Sequence, residues 1–138
     1  MIKVMVFGTF DIFHLGHRNF FEQARGHGDY LIVVVARDET VKAIKKRNAR
    51  NNEQERLNKI CESGLADEVV LGSLENKYES IEKYQPDAIC LGYDQEFFVQ
   101  ELEEKLKELG LNETKIVRLE SFEPQIYKSS LIAKKGFI

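Results

Sequence analysis

The sequence predicts an α/β fold built around one doubly wound parallel sheet, and two observations lead to this class. Short apolar runs alternate along the chain with stretches of helical periodicity, which is typical of strand–helix–strand units with right-handed crossovers. The first two runs, IKVMVFG and YLIVVVA, are apolar almost without interruption, as expected of strands that helices cover on both faces.

The order of elements follows from these patterns. The predicted strands cover residues 2–8, 30–36, 68–72, 88–92 and 115–119. The predicted helices cover residues 15–26, 53–63, 77–85 and 97–110. The first helix is expected to bury the side formed by Leu15, Phe20, Phe21 and Ala24. The last helix has Phe98, Leu102, Leu106 and Leu109 at helical spacing, and Gly110 stands where a helix commonly ends.

Length and composition set limits on function. The 138 residues fit one domain, 43% of them are hydrophobic and 31% are charged. The net charge of −3 provides no broad basic surface for nucleic acid, so an anion site must be local. No apolar run approaches the roughly 20 residues of a membrane helix, and the N-terminus does not read as a signal peptide. Cys61 and Cys90 form no CxxC pair, and Cys90 is predicted to be a core thiol. We therefore expect a reduced, cytoplasmic protein.

The stretch GTFDIFHLGH, residues 8–17, joins the first strand to the first helix. In doubly wound sheets, ligands bind beyond the carboxyl ends of the strands, and GTFD, ARDE and GYDQ end the first, second and fourth strands. Gly8 is expected to allow a tight turn. The amides of Thr9 and Phe10 would then face an anion beside the helix N-terminus. The site is predicted at this edge.

Two of the three histidines fall within this stretch. His14 and His17 are three residues apart and would share one face of the first helical turn, while Gly16 leaves the backbone between them open to a bulky ligand. A metal site is one alternative, but neither HExxH nor CxxC accompanies the pair. Histidines with a purely structural role at a helix start are another.

The blocks GTFDIFHLGH, GDYLIVVVARDETV, LGYDQ and YKSSLI, in this order, resemble the HxGH nucleotidyltransferase (cytidylyltransferase-like) superfamily over almost the whole chain. The resemblance implies a reaction in which a phosphate on an acceptor attacks the α-phosphate of a nucleoside triphosphate and releases pyrophosphate. We expect a single domain, residues 1–138, with five parallel strands in the Rossmann-like order 3-2-1-4-5. Relatives are commonly dimeric, so a homodimer is expected.

The resemblance also implies roles for residues of the first motif. His14 and His17 would hold triphosphate oxygens in the transition state, and the amides of Thr9 and Phe10 would lie at the α-phosphate. With Gly8 and Gly16 they form the predicted nucleotide site. Asp11 is predicted either to place a Mg²⁺ ion or to orient the loop, with hydrogen bonding at the helix entry as the alternative. A divalent cation, most simply Mg²⁺ held by the triphosphate, is the expected cofactor.

After the second strand the family uses a lysine and an arginine to hold phosphates. Lys42, Lys45 and Lys46 are the candidate lysines, and we favour Lys46 as catalytic and Lys42 at the acceptor; the alternative is a solvated charged face. Arg56 matches the arginine of the family. Asn52 stands where relatives often have proline and is expected to cap the helix that follows. The polar segment 43–52 is predicted to be a mobile lid.

Later blocks complete the predicted site. Asp38 is predicted either to contact the acceptor or to cap a following helix. Gly92 and Asp94, in LGYDQ, would lie beside the nucleotide. Ser129 and Ser130 would cap a last helix whose N-terminus faces the phosphates, although an N-cap needs no ligand.

Within the superfamily the chain looks most like archaeal-type FAD synthetases, which transfer AMP from ATP to FMN. The alternatives are glycerol-3-phosphate cytidylyltransferase, which uses CTP, and an inactive nucleotide-binding module. No arginine lies between Arg118 and Ser129, where the CTP enzymes carry one, and GYDQ replaces their GDDW. The C-terminal cysteines of some archaeal FAD synthetases are also missing. An apolar slot for a flavin is predicted from Phe13, Phe97, Phe98 and Tyr127, unless these pack in the core.

Overall fold

The computed structural model describes residues 1–76, 78–92 and 99–120, with the side chains of residues 99 and 100 left aside. Strands and helices alternate along the chain as predicted. In chain order they are β1 Lys3–Gly8, α1 Leu15–Arg25, β2 Tyr30–Val35, α2 Asp38–Lys45, α3 Glu53–Ser63, β3 Glu68–Leu71, α4 Glu79–Tyr84, β4 Ala88–Leu91, α5 Val99–Glu108 and β5 Lys115–Arg118.

The five strands form one parallel sheet in the order β3-β2-β1-β4-β5, which confirms the predicted fold class and strand order. β1 lies at the centre and pairs with β2 over its full length, from Lys3 opposite Tyr30 to Gly8 opposite Val35. On its other side it pairs with β4. The strand order therefore reverses at the carboxyl end of β1, which is the ligand-binding position of doubly wound sheets.

Alternate residues of each strand enter two cores, one on each face of the sheet. Val4 and Val6 of β1 pack on the face that α1 and α3 cover, where Phe21 and Ile60 are buried. Met5 packs on the opposite face with residues of α4 and α5. Cys90 is buried in β4 as predicted, and burial raises the pKa of its thiol to about 11.

Several helix ends agree with the predicted signals. Asn52 accepts a hydrogen bond from the Glu55 amide at 2.8 Å, and the Glu55 carboxylate accepts one from the Asn52 amide, so the two form a capping box before α3. Gly110 follows α5 with φ of +75°, and the Leu111 amide donates back to the Leu106 carbonyl at 2.8 Å. This is the Schellman arrangement expected at that glycine.

Two expectations fail. Leu15 does not join the buried side of α1; it is 53% exposed because it is the first residue of the helix, beyond the covering strands. The charged stretch after β2 is helical, since α2 covers Asp38–Lys45, so the first part of the predicted 43–52 lid is regular structure. Val41 is the buried residue of α2, and one buried position in eight residues gave the sequence little helical periodicity to detect.

None of the helices in the described part of the chain combines the length and apolarity that crossing a lipid bilayer requires.

Candidate active site

The turn after β1 is shaped by Phe10. Its backbone has φ of +52°, the left-handed region that costs a non-glycine residue on the order of 1–3 kcal/mol. Its ring is buried and meets His17 edge-on at 5.2 Å and Phe21 at 5.1 Å between ring centroids. A Cβ on Gly8 would lie 2.5 Å from this ring. Gly8 is therefore needed for the close approach of Phe10, and within the tight turn expected at Gly8 the left-handed residue is Phe10.

The N-terminus of α1 carries a histidine cap and no acidic side chain. His14 is its N-cap, and the His14 Nδ1 accepts a hydrogen bond from the Gly16 amide at 3.0 Å. The first turn of α1 contains no acidic residue, whereas the other helices of the described chain each carry at least one there. Acidic side chains in a first turn partly neutralise the positive end of the helix dipole. In α1 the positive end of the dipole is not neutralised in this way and favours binding of an anionic ligand.

His14 and His17 stack on each other, with ring centroids 3.9 Å apart and planes 23° apart. Burial lowers the pKa of His14 to about 4. Burial is also the main reason that the pKa of His17 falls to about 3, and the charges of His14 and Lys45 lower it further, while the Ile12 backbone opposes them. Both rings are thus neutral at pH 7. Because the His14 Nδ1 accepts a hydrogen bond, the neutral ring carries its proton on Nε2 and can donate it.

The Nδ1 of His17 is buried and makes no well-formed hydrogen bond within the described residues. A buried polar atom without a partner is costly, and in proteins such atoms mark places where a ligand or a water completes the bonding. His17 therefore has bonding capacity that the protein alone does not use.

Asp11 is one of the two buried charged residues among those described. Its Oδ2 accepts a hydrogen bond from the Arg50 amide at 2.8 Å and its Oδ1 one from the Asn51 amide at 2.9 Å. The Asn51 side-chain amide donates to the Asp11 carbonyl at 2.6 Å. These bonds connect the turn after β1 to the segment before α3. They agree with one of the roles predicted for Asp11, that of orienting the loop.

Each carboxylate oxygen of Asp11 already accepts a backbone N–H, so a metal bound there would share these oxygens with the loop amides. In residues 1–76, 78–92 and 99–120, no three His, Cys, Asp or Glu side chains cluster in a way that could hold an ion.

Arg56 is the second buried charge, with a side chain 0% exposed. Its guanidinium donates to the carbonyls of Thr9 and Ala36 at 3.0 and 2.8 Å and to Asp38 Oδ1 at 2.7 Å. Desolvation would raise the pKa of Asp38, but the hydrogen bond and charge of Arg56 hold it below its ordinary value. Asp38 is the first residue of α2 and Arg37 is its N-cap, so the helix-cap alternative for Asp38 is wrong.

With this geometry established, comparison with known proteins decides the family. The sequence profile of the cytidylyltransferase-like family matches residues 5–135. The chain belongs to this family. An FAD synthase from Picrophilus torridus is 37% identical to this cytidylyltransferase-like chain over 134 residues, which cover 97% of the chain and 95% of the relative. An FAD synthase from Thermoplasma volcanium is 40% identical over 142 residues, covering 98% and 94%.

Solved structures agree with this placement. A crystal structure described as a lipopolysaccharide core biosynthesis protein from Thermoplasma volcanium GSS1 superposes on the cytidylyltransferase-like chain with a TM-score of 0.83. The two share 39% identity, over 89% of this chain and 99% of that one. Pantothenate synthetase from Thermus thermophilus, at 12% identity and a TM-score of 0.61, shares the fold over 99% of this chain and 71% of its own. The resemblance inferred from the HxGH stretch is confirmed.

Among the three candidate lysines of the cytidylyltransferase-like chain, Lys45 is the one whose charge acts on His17. All three lysines are exposed; Lys42 and Lys45 lie in the last turn of α2, and Lys46, which sequence reasoning favoured, is its C-cap in the left-handed conformation. Lys45 follows the buried Val41 by four residues and so lies on the same face of α2. Recognising α2 as a helix from the sequence would have placed Lys45 on a different face from Lys42 and Lys46.

The remaining predicted residues divide between described and undescribed parts of the chain. Gly92 follows β4, and its carbonyl accepts a hydrogen bond from Arg118 at 2.7 Å, a contact that sequence reasoning did not foresee. Phe13 packs against the core, with its ring 5.8 Å from that of Phe21. Several predicted site residues lie outside the described residues: Asp94, Phe97, Phe98, Tyr127, Ser129 and Ser130.

Gly8→Ala should destabilise the protein by about 1–3 kcal/mol, because the new methyl group collides with a ring enclosed by His17 and Phe21. Urea denaturation measures the change. Gly72→Ala, at the end of β3, is the matched control: its Cβ would meet Val34 at 3.6 Å, and a change within about 0.5 kcal/mol is expected. Equal stability of the two variants would contradict the role given to Phe10.

Stability should fall as the pH drops below the ordinary histidine pKa of 6.5. Unfolded histidines take up protons there, whereas His14 and His17 resist protonation until about pH 4 and about pH 3 in the folded state. Their lowered pKa values therefore contribute stability above pH 6.5 that is lost progressively as the pH falls toward 4. Urea midpoints from about pH 7.5 to about pH 4.5 measure this. The His14→Gln, His17→Gln double variant should show a shallower fall, and the exposed His27→Gln control should match the wild type.

Proposed function

We propose that this protein is an FAD synthase that transfers the AMP group of ATP to FMN. A phosphate oxygen of FMN forms a bond to the α-phosphorus of ATP, the bond from that phosphorus to the bridging oxygen of the β-phosphate breaks, and pyrophosphate leaves. The main support is the stacked pair His14–His17 at the N-terminus of α1, whose first turn has no acidic residue. The curated relatives of the chain described above are FAD synthases.

The histidine pair supplies hydrogen bonds where negative charge develops. Because both imidazoles are neutral before the substrate binds, their stacking involves no charge repulsion. Triphosphate oxygens would favour protonation of the rings and so strengthen these bonds as charge moves onto the leaving pyrophosphate. His17 is half-buried with its Nδ1 out of contact with water, which further strengthens the interaction.

The loop and α2 would complete the nucleotide site. The amides of Thr9 and Phe10 are assigned to the α-phosphate, beside Gly8 and Gly16. Lys45 is assigned to the phosphates on the ground that its charge already acts on His17. Lys46, next to Lys45 and exposed at the helix end, stays a candidate for the same role.

The acceptor is assigned to the side of the site formed by α2. The Asp38 side chain is 45% exposed although it pairs with Arg56, and Lys42 lies one turn further along the same helix. Gly92, Asp94, Ser129 and Ser130 stay predicted nucleotide contacts.

Mg²⁺ would enter with the substrate as MgATP, because triphosphate oxygens and water suit this ion and the described residues provide no cage for it. We place the reaction in the cytoplasm, in agreement with the free thiols of Cys61 and Cys90. We also propose that the chain is one domain and forms a homodimer. The edge strand β3, whose four residues are all only half-buried, supports a dimer, and sedimentation velocity tests it.

ATP, FMN and Mg²⁺ should give FAD and pyrophosphate in equal amounts, because each turnover forms one phosphoanhydride bond and breaks another. Chromatography of the flavins and a coupled pyrophosphate assay measure the two products. CTP with glycerol 3-phosphate should give little pyrophosphate, and excess EDTA should stop FAD formation. Formation of CDP-glycerol without FAD would contradict both the proposed acceptor, FMN, and the proposed nucleotide, ATP.

His17→Ala should lower turnover roughly 100-fold or more, the loss that follows removal of one transition-state donor. A thermal melt and circular dichroism establish that the variant is folded. His27→Ala, at an exposed position just beyond the other end of α1, should keep near-native turnover. If the His17→Ala variant were folded and kept near-native turnover, the catalytic role proposed for His17 would be wrong.

A further inference from the structure

We infer that Arg56 is a positioning residue that aims the Phe10 amide at the substrate and does not itself contact the triphosphate. The inference deepens the proposed function and rests on it for the identity of the substrate. It replaces the phosphate-binding role that the family resemblance suggested for this arginine.

The guanidinium is hydrogen-bonded to the protein through each of its three nitrogens. Arginine has five N–H donors, and four hydrogen bonds are formed here. Nε donates to the Asn51 carbonyl at 3.0 Å, Nη1 to the carbonyls of Thr9 and Ala36, and Nη2 to Asp38. The side chain is 0% exposed, so it presents no N–H to a ligand at the surface.

Releasing Arg56 toward a phosphate would be costly. Its departure would leave three carbonyl groups without this donor, and a buried carbonyl without a partner destabilises the fold. It would also break the ion pair with Asp38. Separating a desolvated charge from its partner carries a large penalty, which a phosphate contact would have to exceed.

The bond to Thr9 determines the direction of the next amide. The carbonyl of Thr9 and the N–H of Phe10 belong to one planar peptide group and point in opposite directions in its trans form. No cis peptide bond occurs among the described residues. Because Arg56 holds the Thr9 oxygen toward the protein interior, the Phe10 N–H points away from the guanidinium. The left-handed backbone of Phe10 then carries the chain toward α1.

Asn51 links this arrangement to the predicted lid. Its carbonyl accepts from Arg56, and its backbone and side-chain amides both donate to Asp11. Segment 50–51 is thereby fixed against the turn after β1, so only the earlier part of the predicted lid can move independently of that turn. Arg56 and Asp11 together hold the turn after β1 in place.

Arg56→Lys tests the inference, because lysine keeps the charge but cannot reproduce the planar fork of the guanidinium. Three quantities are measured: kcat for FAD formation, the Kd of ATP by calorimetry, and hydrogen exchange in residues 8–14 without substrate. We expect kcat to fall about 10- to 100-fold, as a small misplacement of a reacting group does, with the ATP Kd within about threefold. Exchange in residues 8–14 should become about tenfold faster or more.

Arg25→Ala is the matched control. Arg25 also donates to a carbonyl and a carboxylate, those of Leu65 and Asp67, but at the far end of α1, so kcat and exchange in residues 8–14 should stay near native. Should Arg56→Lys fail to fold, Asn51→Ala replaces it. That variant removes one hydrogen bond to Asp11 and no buried charge, and about 3- to 10-fold lower kcat is expected.

The positioning role would be contradicted if the main defect of the variant were weaker ATP binding. It would also be contradicted if hydrogen exchange in residues 8–14 were unchanged in a folded variant. The exchange measurement needs no turnover. A wild-type protein that makes no FAD would therefore refute the proposed function, while the exchange result would still decide what Arg56 does.

Discussion

At the carboxyl edge of a parallel sheet, the backbone carbonyls beyond the last strand residues have no amide of a neighbouring strand to accept from. In this sheet, the Arg56 side chain donates hydrogen bonds to carbonyls at that edge. One side chain satisfies carbonyls from the turn after β1, the end of β2 and the segment before α3, and pairs with the first residue of α2. A buried charge of this kind is tolerated only when its partners are complete. The four segments are consequently fixed relative to one another, and the geometry of the site depends on that fixation.

The site near Arg56 is suited to bind anions, although the side chains that form it carry little net charge. The helix dipole of α1 is unopposed by acidic residues, and the histidine pair is neutral and desolvated. Lys45 is the cation whose effect reaches His17. Such a site holds donors and dipoles in place before the substrate arrives, so little reorganisation is needed as charge moves during phosphoryl transfer. It also avoids the repulsion that two protonated imidazoles at 3.9 Å would suffer.

Periodicity and capping signals predicted most of the fold because they report local physics. The alternation of apolar runs predicted all five strands, and Asn52 and Gly110 marked helix ends correctly. α2 was missed because its interior depends on a single buried residue, Val41. The HxGH stretch located the site for the same local reason: a strand, a turn and a helix N-terminus are adjacent in sequence.

The burial of Arg56 could not be predicted, since its partners lie 5 to 47 residues away and meet only in the folded sheet. The same is true of Asp11, which bonds to amides 39 and 40 residues later. A charged residue on an amphipathic stretch is normally solvated, and only tertiary structure reveals the exceptions. A tight turn was expected at Gly8, but the left-handed backbone of Phe10 within that turn depends on tertiary packing and was not predicted.

The central position of β1 has a consequence for how the chain reaches its folded state. Its neighbours are far apart in sequence: the Ile2–Asp29 contact just before the β1–β2 pair spans 27 residues, and the Lys3–Asp87 contact beside β4 spans 84. Loop-closure entropy favours the shorter span, so β1, β2 and β3 are expected to associate first. During synthesis the N-terminal strand would present an unpaired edge until residues 88–91 emerge from the ribosome. The active-site edge is therefore completed late, and the growing chain passes through a stage in which it is prone to aggregation.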